Sequence, residues 1–219
     1  MTRKKSKRLR RLCHDSHAQN NRLIKMIAMF HKSSAQVIIG AILVLASTLP
    51  SSSQAETSLV HQAQDIVKQF AGQLKPQLQD AMRAGGPPLA VKVCAETAPL
   101  IAESLSESTG WSVRRVSDRP RNPSAALDDW EKLALRTLKA RLAESETSTL
   151  ILHETTADGF RYAQAQVTEG LCLACHGTSL DPETAAMLTR YYPNDQAKGY
   201  QIGEIRGLFS LQKSAKSPL

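Results

Sequence analysis

The sequence is poor in cysteine and lacks any long apolar segment. It has four cysteines in 219 residues. After residue 55, no second C-x-x-C and no H-x-x-H pair accompanies the one C-x-x-C, which argues against a four-ligand zinc cluster there. No apolar run approaches the ~20 residues that a membrane-spanning helix needs. No internal repeat is visible, which excludes repeat architectures. With 42% hydrophobic and 22% charged residues, the composition indicates an ordinary globular domain.

Acidic residues are almost absent from the first quarter of the chain. Residues 1–55 hold 10 of the 28 basic side chains but only one of the 20 acidic ones, Asp15. Residues 56–219 therefore carry 18 basic and 19 acidic side chains, a net charge of −1. The formal net charge of +8 belongs to the N-terminal segment, so we expect no nucleic-acid partner.

The N-terminal segment is typical of an export signal. Its unbroken apolar run covers residues 37–46, which is the length of a signal-peptide core. Small residues precede Ala55, so we interpret residues 1–55 as a basic leader and signal peptide that is cleaved after Ala55. In the alternative, the leader stays uncleaved and is the chain's only membrane contact. Both interpretations place the rest of the chain in an oxidising compartment, the bacterial periplasm.

Apolar spacing predicts long helices first and short strands later. Apolar residues at 58–83 have the spacing of one helix face, and AGGPP at 84–88 is expected to end that helix. A second helical segment continues to about residue 108, with a kink or restart at Pro99. This order predicts one α+β domain over residues 56–213, followed by a polar tail at 214–219. Further helices are expected at about 125–143 and 182–192, and strands at 111–117, 148–154, 160–169 and 203–212, the middle two joined at Asp158-Gly159.

Residues 170–178, GLCLACHGT, contain the motif with the most specific chemistry. C-x-x-C-H is the attachment signature of c-type haem. Cys172 and Cys175 have the spacing to add across the two vinyl groups of one porphyrin, and His176 follows at once as an axial iron ligand. The sequence therefore predicts one covalently attached haem c per chain. The alternatives are a structural zinc site and a redox disulfide, but a redox C-x-x-C usually opens a helix in a βαβ unit, whereas this one follows a strand.

Spacing leaves the second axial ligand open. Met187 lies downstream of the motif, as axial methionine does in many cytochromes c, and His153 ends a predicted strand. Cys94 is the odd thiol of an exported chain once the motif cysteines are bound to haem. Packing as a small hydrophobe, pairing with a second chain, and binding iron as a thiolate would each account for it. The candidates after residue 55 are His61, Met82, Cys94, His153 and Met187.

Several segments resemble those of one bacterial family. AVKVCAETAPLIAE, GWSVRRVSDRPRNP, WEKLAL, EGLCLACHG and GYQIGEIRGLFSL occur in the order expected of single-haem c-type proteins long classed as a domain of unknown function. The resemblance spans about residues 58–213 and implies a PAS-like antiparallel sheet with long N-terminal helices, found alone or as the extracytoplasmic part of sensor proteins. It also implies His176 as the proximal ligand and Cys94 as the distal ligand. The loop after Pro123 departs from the family, which often has a further Asn and Pro there.

Arginines recur in the matching segments. A guanidinium suits carboxylate recognition, and we take Arg206 as a cofactor-binding residue that pairs with a haem propionate. The other arginines in these segments that we considered for this role are Arg114, Arg115 and Arg121.

These features favour a periplasmic monohaem c-type cytochrome-like protein for electron transfer or redox sensing, rather than an enzyme. A thiolate ligand lowers the reduction potential, and two protein ligands leave no open iron position. The chain has no output domain, so sensing needs an unknown redox partner or sensor protein; the PAS-like comparison also implies a homodimer through the N-terminal helix. The alternative is a gas or small-ligand sensor with a displaceable distal ligand. A peroxidase needs an open iron and a distal acid–base group, for which His153 is the candidate.

Overall fold

A kinked N-terminal helix and a four-stranded antiparallel sheet dominate the fold. The computed structural model describes residues 52–144 and 150–215, so the predicted leader up to residue 51 and the end of the polar tail lie outside the described residues. The helices are α1 (Ser52–Thr109), α2 (Asp129–Ala143), α3 (Leu173–His176) and α4 (Pro182–Tyr191), and the strands are β1 (Ser112–Val116), β2 (Ile151–Thr156), β3 (Gly159–Val167) and β4 (Ile205–Ser214). Two 3-10 turns, Pro123–Ala125 and Gly170–Cys172, complete the set.

The AGGPP segment ends the first helical half of α1, as predicted, and the second half follows it across a kink. The backbone leaves helical geometry only at Gly85 and at Gly86, where φ is 65° and ψ is −164°, a conformation that glycine alone adopts without strain. Two prolines then open the second half, where a missing backbone N–H costs nothing. The helix does not restart at Pro99, since its backbone stays helical through that residue.

Helix α2 begins at Asp129, later than the predicted start near residue 125. The Asp128 side chain accepts a hydrogen bond from the backbone N–H of Glu131, and the Glu131 side chain accepts one from the backbone N–H of Asp128. This reciprocal capping box satisfies two backbone donors that a helix start leaves without partners. The residues before it form the Pro123–Ala125 turn instead.

The sheet has the strand order β1-β4-β3-β2, with every neighbouring pair antiparallel. Strands β2 and β3 form the predicted hairpin, in which Thr156 pairs with Gly159. Strand β4 lies between β1 and β3 and runs to Ser214, the residue at which we expected the tail to begin. The α+β architecture predicted from the order of helices and strands is therefore present.

Successive side chains of a strand point to opposite faces of the sheet, and each face packs into its own hydrophobic core. On one face, Val113, Phe160, Tyr162 and Leu211 pack with the buried stripe of α1. On the other face, residues such as Val116, Ala163 and Leu208 pack against α2. No helix in the described part of the chain is long and apolar enough to cross a membrane.

The face covered by α2 contains a buried carboxylate with charged partners. The Glu131 side chain is 1% exposed, and its Oε1 lies 3.4 Å from Arg114 and 3.8 Å from Arg161. Arg161 also contacts the carboxylate of Asp128 at 2.6 Å and lies over the Trp130 ring, 4.4 Å from its centroid. These charges therefore compensate one another within the protein, as buried charges require.

Candidate cofactor site

One cavity of about 490 Å³ brings the predicted site residues together. Its wall includes Cys94 of α1, the motif residues Cys172, Cys175 and His176, and Arg206 of β4. The remaining wall is mostly apolar, with Leu74, Leu78 and Val91 among its side chains. A cavity of this size, apolar with a few convergent polar groups, is typical of a cofactor site.

Cys94 belongs to the inward-facing stripe of the second half of α1. Ala90, Val91, Ala98 and Ile101 are buried on the same stripe, with the three- and four-residue spacing of one helical face. Cys94 itself is half-buried and forms no disulfide. Its thiol therefore faces the cavity as part of the packed surface of the helix.

The imidazole of His176 is held in one orientation. Its Nδ1 lies 2.8 Å from the carbonyl oxygen of Ala197, so Nδ1–H donates to that oxygen and Nε2 keeps its lone pair. Burial first, and then the charges of Arg121 and Arg206, lower the pKa of His176 to about 2. The ring is therefore neutral at ordinary pH, which is the form that binds a metal, and a hydrogen bond at the other nitrogen is the usual way to orient such a ligand.

Backbone bonds fix the segment around His176. The amide of Tyr200 donates to the His176 carbonyl at 2.9 Å, and the amide of Gly199 donates to the Gly177 carbonyl at 3.0 Å. Gly177 also lies so close to the end of α3 that an added Cβ would be 2.6 Å from the carbonyl oxygen of Leu173. A larger residue after His176 would therefore push the motif out of place.

Arg121 acts as a clamp on the motif. Its Nε donates to Asp195 Oδ1 at 3.1 Å, and a terminal nitrogen donates to the carbonyl oxygens of Ala197, at 3.1 Å, and Cys175. The Asp195 side chain is 2% exposed. Arg121 thus joins the Cys175 backbone to the loop that orients His176, and its guanidinium is already occupied by protein acceptors.

The two motif cysteines are free thiols in the structure. Burial raises the pKa of the Cys175 thiol, although the nearby Arg121 charge opposes that effect. Cys172 receives a hydrogen bond from the Glu169 amide at 3.4 Å. Among residues 52–144 and 150–215, no cluster of three or more His, Cys, Asp or Glu side chains is arranged to hold a metal ion, so a four-ligand zinc site finds no support there.

The other candidate axial ligands differ in position. Met187 and His153 are not part of the cavity wall. His153 instead lies 3.2 Å from the Glu56 carboxylate through Nδ1 and stacks on Phe160. Met82, on the half of α1 before the kink, does line the cavity.

Tyr192 is a cavity residue that the sequence did not reveal. It follows α4 directly, and the neighbouring Tyr191 hydroxyl reaches Glu96 at 3.4 Å, which ties the end of α4 to the turn of α1 that carries Cys94. Burial, followed by the charge of Cys94, raises the pKa of Tyr192 to about 12. No local pattern marks this tyrosine, because only the packing of α4 on α1 brings it to the cavity.

Comparison with known proteins assigns the family. A family model described as Tll0287-like matches residues 46–214. The chain belongs to the Tll0287-like family. Among solved structures, the crystal structure of the cyanobacterial heme-protein Tll0287 is similar, with a TM-score of 0.57 and 22% sequence identity over 78% of this chain and 100% of that chain. At this identity the likeness establishes the fold, and it confirms the α+β, PAS-like architecture. No curated protein matches the chain.

The residues present in this Tll0287-like chain fit a haem. The donors are two thiols and an imidazole in attachment order, and a third thiol lies in the same cavity. The Nε of Arg206 is buried without a hydrogen-bond partner, as expected of a group that completes its bonding with a bound molecule. The apolar wall suits the faces of a porphyrin, and the unpartnered donor suits its carboxylates.

Proposed function

We propose that the protein is a periplasmic monohaem c-type cytochrome-like protein that transfers electrons or reports redox state. The observation that carries the proposal is the convergence of four groups on one cavity: Cys172, Cys175, His176 and Cys94. The matching Tll0287 structure is described as that of a heme-protein, which supports the same cofactor class. Export after cleavage at Ala55 is part of the proposal, because covalent attachment suits a protein that would otherwise lose its cofactor outside the cytoplasm.

Each group has a distinct part in this proposal. The thiols of Cys172 and Cys175 would hold the haem covalently, each by adding its S–H across one vinyl group so that no atom is lost. His176 would bind the iron through Nε2 while Ala197 holds its other nitrogen. Cys94 would supply a thiolate to the iron. The bound haem would contribute a one-electron couple, whose potential a thiolate lowers.

Apolar packing around the site favours electron transfer over catalysis. The wall from α1 is made largely of alanine, leucine and valine side chains, which exclude water and offer no acid–base group. A peroxidase needs such a group on the distal side, and the candidate His153 lies outside the cavity wall. The described residues form one compact unit, and sensing would require the electron or a ligand change to be passed on from it.

The electron paramagnetic resonance spectrum of the purified ferric protein tests this proposal. We expect a low-spin signal with the narrow g-spread of thiolate ligation, and a high-spin signal after Cys94→Ala. His153→Gln is the matched control and should leave the spectrum unchanged. A high-spin wild-type spectrum would favour the gas-sensor alternative, and a preparation without haem would refute the cofactor itself.

The location has its own test. Mass spectrometry of the protein from a periplasmic fraction should give a chain that begins at Glu56 and carries the mass of one haem. A chain that keeps its leader and sediments with membranes would instead support the uncleaved anchor.

A further inference from the structure

Five arginines line the cavity, and no aspartate or glutamate does so within the described ranges. This imbalance is unusual, because a buried charge is costly unless a partner of opposite sign lies near it. The partners of each arginine therefore indicate which charges the protein itself satisfies. The five are Arg114, Arg115, Arg119, Arg121 and Arg206.

Three of the five have partners within the protein. Arg114 binds Glu131 and donates to the carbonyl oxygens of Ser124 and Ala126, at 3.2 and 3.3 Å. Arg121 is held by Asp195 as described above. Arg119 donates to the Lys198 carbonyl at 3.0 Å and lies over the Tyr200 ring. These three arginines are therefore occupied in holding loops around the site.

Arg115 and Arg206 differ from them. Over residues 52–144 and 150–215, neither guanidinium has an ion-pair or hydrogen-bond partner, and the recorded contact of Arg115 is with the Phe70 ring, 5.2 Å from its centroid. The Nε of Arg206 is buried and unpartnered. Burial, and next the charge of Arg206, lower the pKa of Arg115, so the two cations lie close enough to repel each other. Tyr192 lines the same cavity, and its hydroxyl is a third donor group without a hydrogen-bond acceptor among the described residues.

We propose that Arg115 and Arg206 form an anion-binding end of the cavity that receives two carboxylates, one at each guanidinium, with the Tyr192 hydroxyl as an additional donor. This proposal rests on the proposed function, in which the carboxylates are the two propionates of the haem. A guanidinium binds a carboxylate through two parallel hydrogen bonds, and three donors without an acceptor match a ligand that brings acceptors only.

The charges of the loaded site then balance in the ferric state. A ferric porphyrin core carries one positive charge, and two propionates with the Cys94 thiolate carry three negative charges. The remaining two negative charges are those that Arg115 and Arg206 neutralise. Removing either arginine would leave an uncompensated negative charge in the site, which stabilises the ferric state and lowers the reduction potential.

Redox titration of the holoprotein tests the assignment. Arg115→Gln and Arg206→Gln should each shift the ferric–ferrous equilibrium about tenfold toward the ferric form, which is 59 mV for a one-electron couple. The ferric resonance spectrum should keep its g-values, because neither variant changes an iron ligand. Arg136→Gln is the matched control, since Arg136 is exposed on α2 and outside the cavity wall, and it should leave the potential unchanged.

Lysine variants separate charge from packing. Arg115→Lys and Arg206→Lys keep the positive charge, so their reduction potentials should be close to that of the wild type. Haem that is retained by the lysine variants but lost from the glutamine variants also supports the proposal. The proposal would be overturned if the glutamine variants had the same reduction potential as Arg136→Gln. It would also be overturned if the lysine variants shifted the potential, or lost haem, as much as the glutamine variants do. Wild-type protein without haem would instead refute the proposed function on which it rests.

Discussion

The two faces of the sheet satisfy their buried groups in different ways. Under α2, Glu131 compensates Arg114 and Arg161, and the side chain of Leu138 is fully buried. On the cavity side, Arg115 and the Nε of Arg206 have no hydrogen-bond or ion-pair partner within the described chain, and Leu78 lines an open volume. On the first face the buried carboxylate and its arginines compensate one another, although the Nε of Arg161 is also without a hydrogen-bond partner, whereas on the second face the cations lack a carboxylate and line a cavity. Cations without a carboxylate and apolar side chains around an open volume thus locate the site on one face.

The largest difference between the faces is expected when one leucine on each face is shortened to alanine. Leu138→Ala should lower the free energy of unfolding by about 4 kcal/mol, because it leaves a void in a closed core. Leu78→Ala should cost about 1 kcal/mol in the haem-free chain, because its surroundings are already open. Urea unfolding at neutral pH measures both changes. Equal losses would show that the two faces are packed alike, and the Leu78→Ala loss should grow once haem is bound.

The buried carboxylate gives the next largest effect. Glu131→Gln keeps the shape of the side chain and its capping bond to the Asp128 amide but removes the charge that faces two arginines. We expect a loss of about 3 kcal/mol in the free energy of unfolding. Asp129→Asn, in the same turn but with a fully solvated carboxylate (99% exposed), is the control and should cost under about 0.5 kcal/mol. A loss no greater than this control would mean that the α2 face does not depend on charge compensation.

Acidification should destabilise the haem-free chain through His176. Its pKa is lowered to about 2 in the folded state, whereas an unfolded histidine titrates near ~6.5. Below that pH the unfolded chain binds a proton that the folded chain does not, so the free energy of unfolding falls by about 1.4 kcal/mol per pH unit. Urea titrations between about pH 6.5 and 5, where histidine titration dominates, should show this slope in wild type and in His153→Gln but not in His176→Gln. An unchanged slope in His176→Gln would contradict the assignment.

The smallest predicted difference concerns two tyrosines. The Tyr162 hydroxyl donates to Gln164 Oε1 at 2.8 Å in the closed part of the structure, so Tyr162→Phe should cost about 1 kcal/mol. Tyr192→Phe should change the stability of the haem-free chain by under about 0.5 kcal/mol, because its hydroxyl has no hydrogen-bond acceptor in the part of the chain that the structure describes. Thermal unfolding of the two variants side by side gives the comparison, and a larger cost for Tyr192→Phe would point to an acceptor within the protein.

Much of the fold follows from local pattern in the sequence. The β2–β3 hairpin and α4 lie where alternation and helical period predicted them, because these patterns act over a few residues. The start of α2 was predicted too early, although the Asp128–Glu131 capping box is visible in the sequence as D-x-x-E. The AGGPP segment interrupts α1 at the predicted place, because glycine and proline act on the backbone within a residue or two.

The site was only partly predictable for a different reason. The motif cysteines and His176 lie within five residues of one another, so their chemistry is visible in the sequence. Arg114 and Arg115 are also adjacent, yet one meets Glu131 of α2 and the other meets Phe70 of α1, because successive residues of a strand face opposite sides. Which arginine is free depends on the partners that the topology brings to each face, and no local signal carries that information.

The break at Gly85 and Gly86 also determines how the chain tolerates changes in length. A residue added within a continuous helix rotates everything on one side of it by about 100°, which would turn an inward stripe toward solvent. A residue added at the glycines falls where the helical repeat is already interrupted, so both halves of α1 keep their own phase. An insertion between Cys94 and Ala98 would instead turn the thiol away from the cavity. Natural length variation in this helix is therefore expected at the glycines and not beside the cysteine.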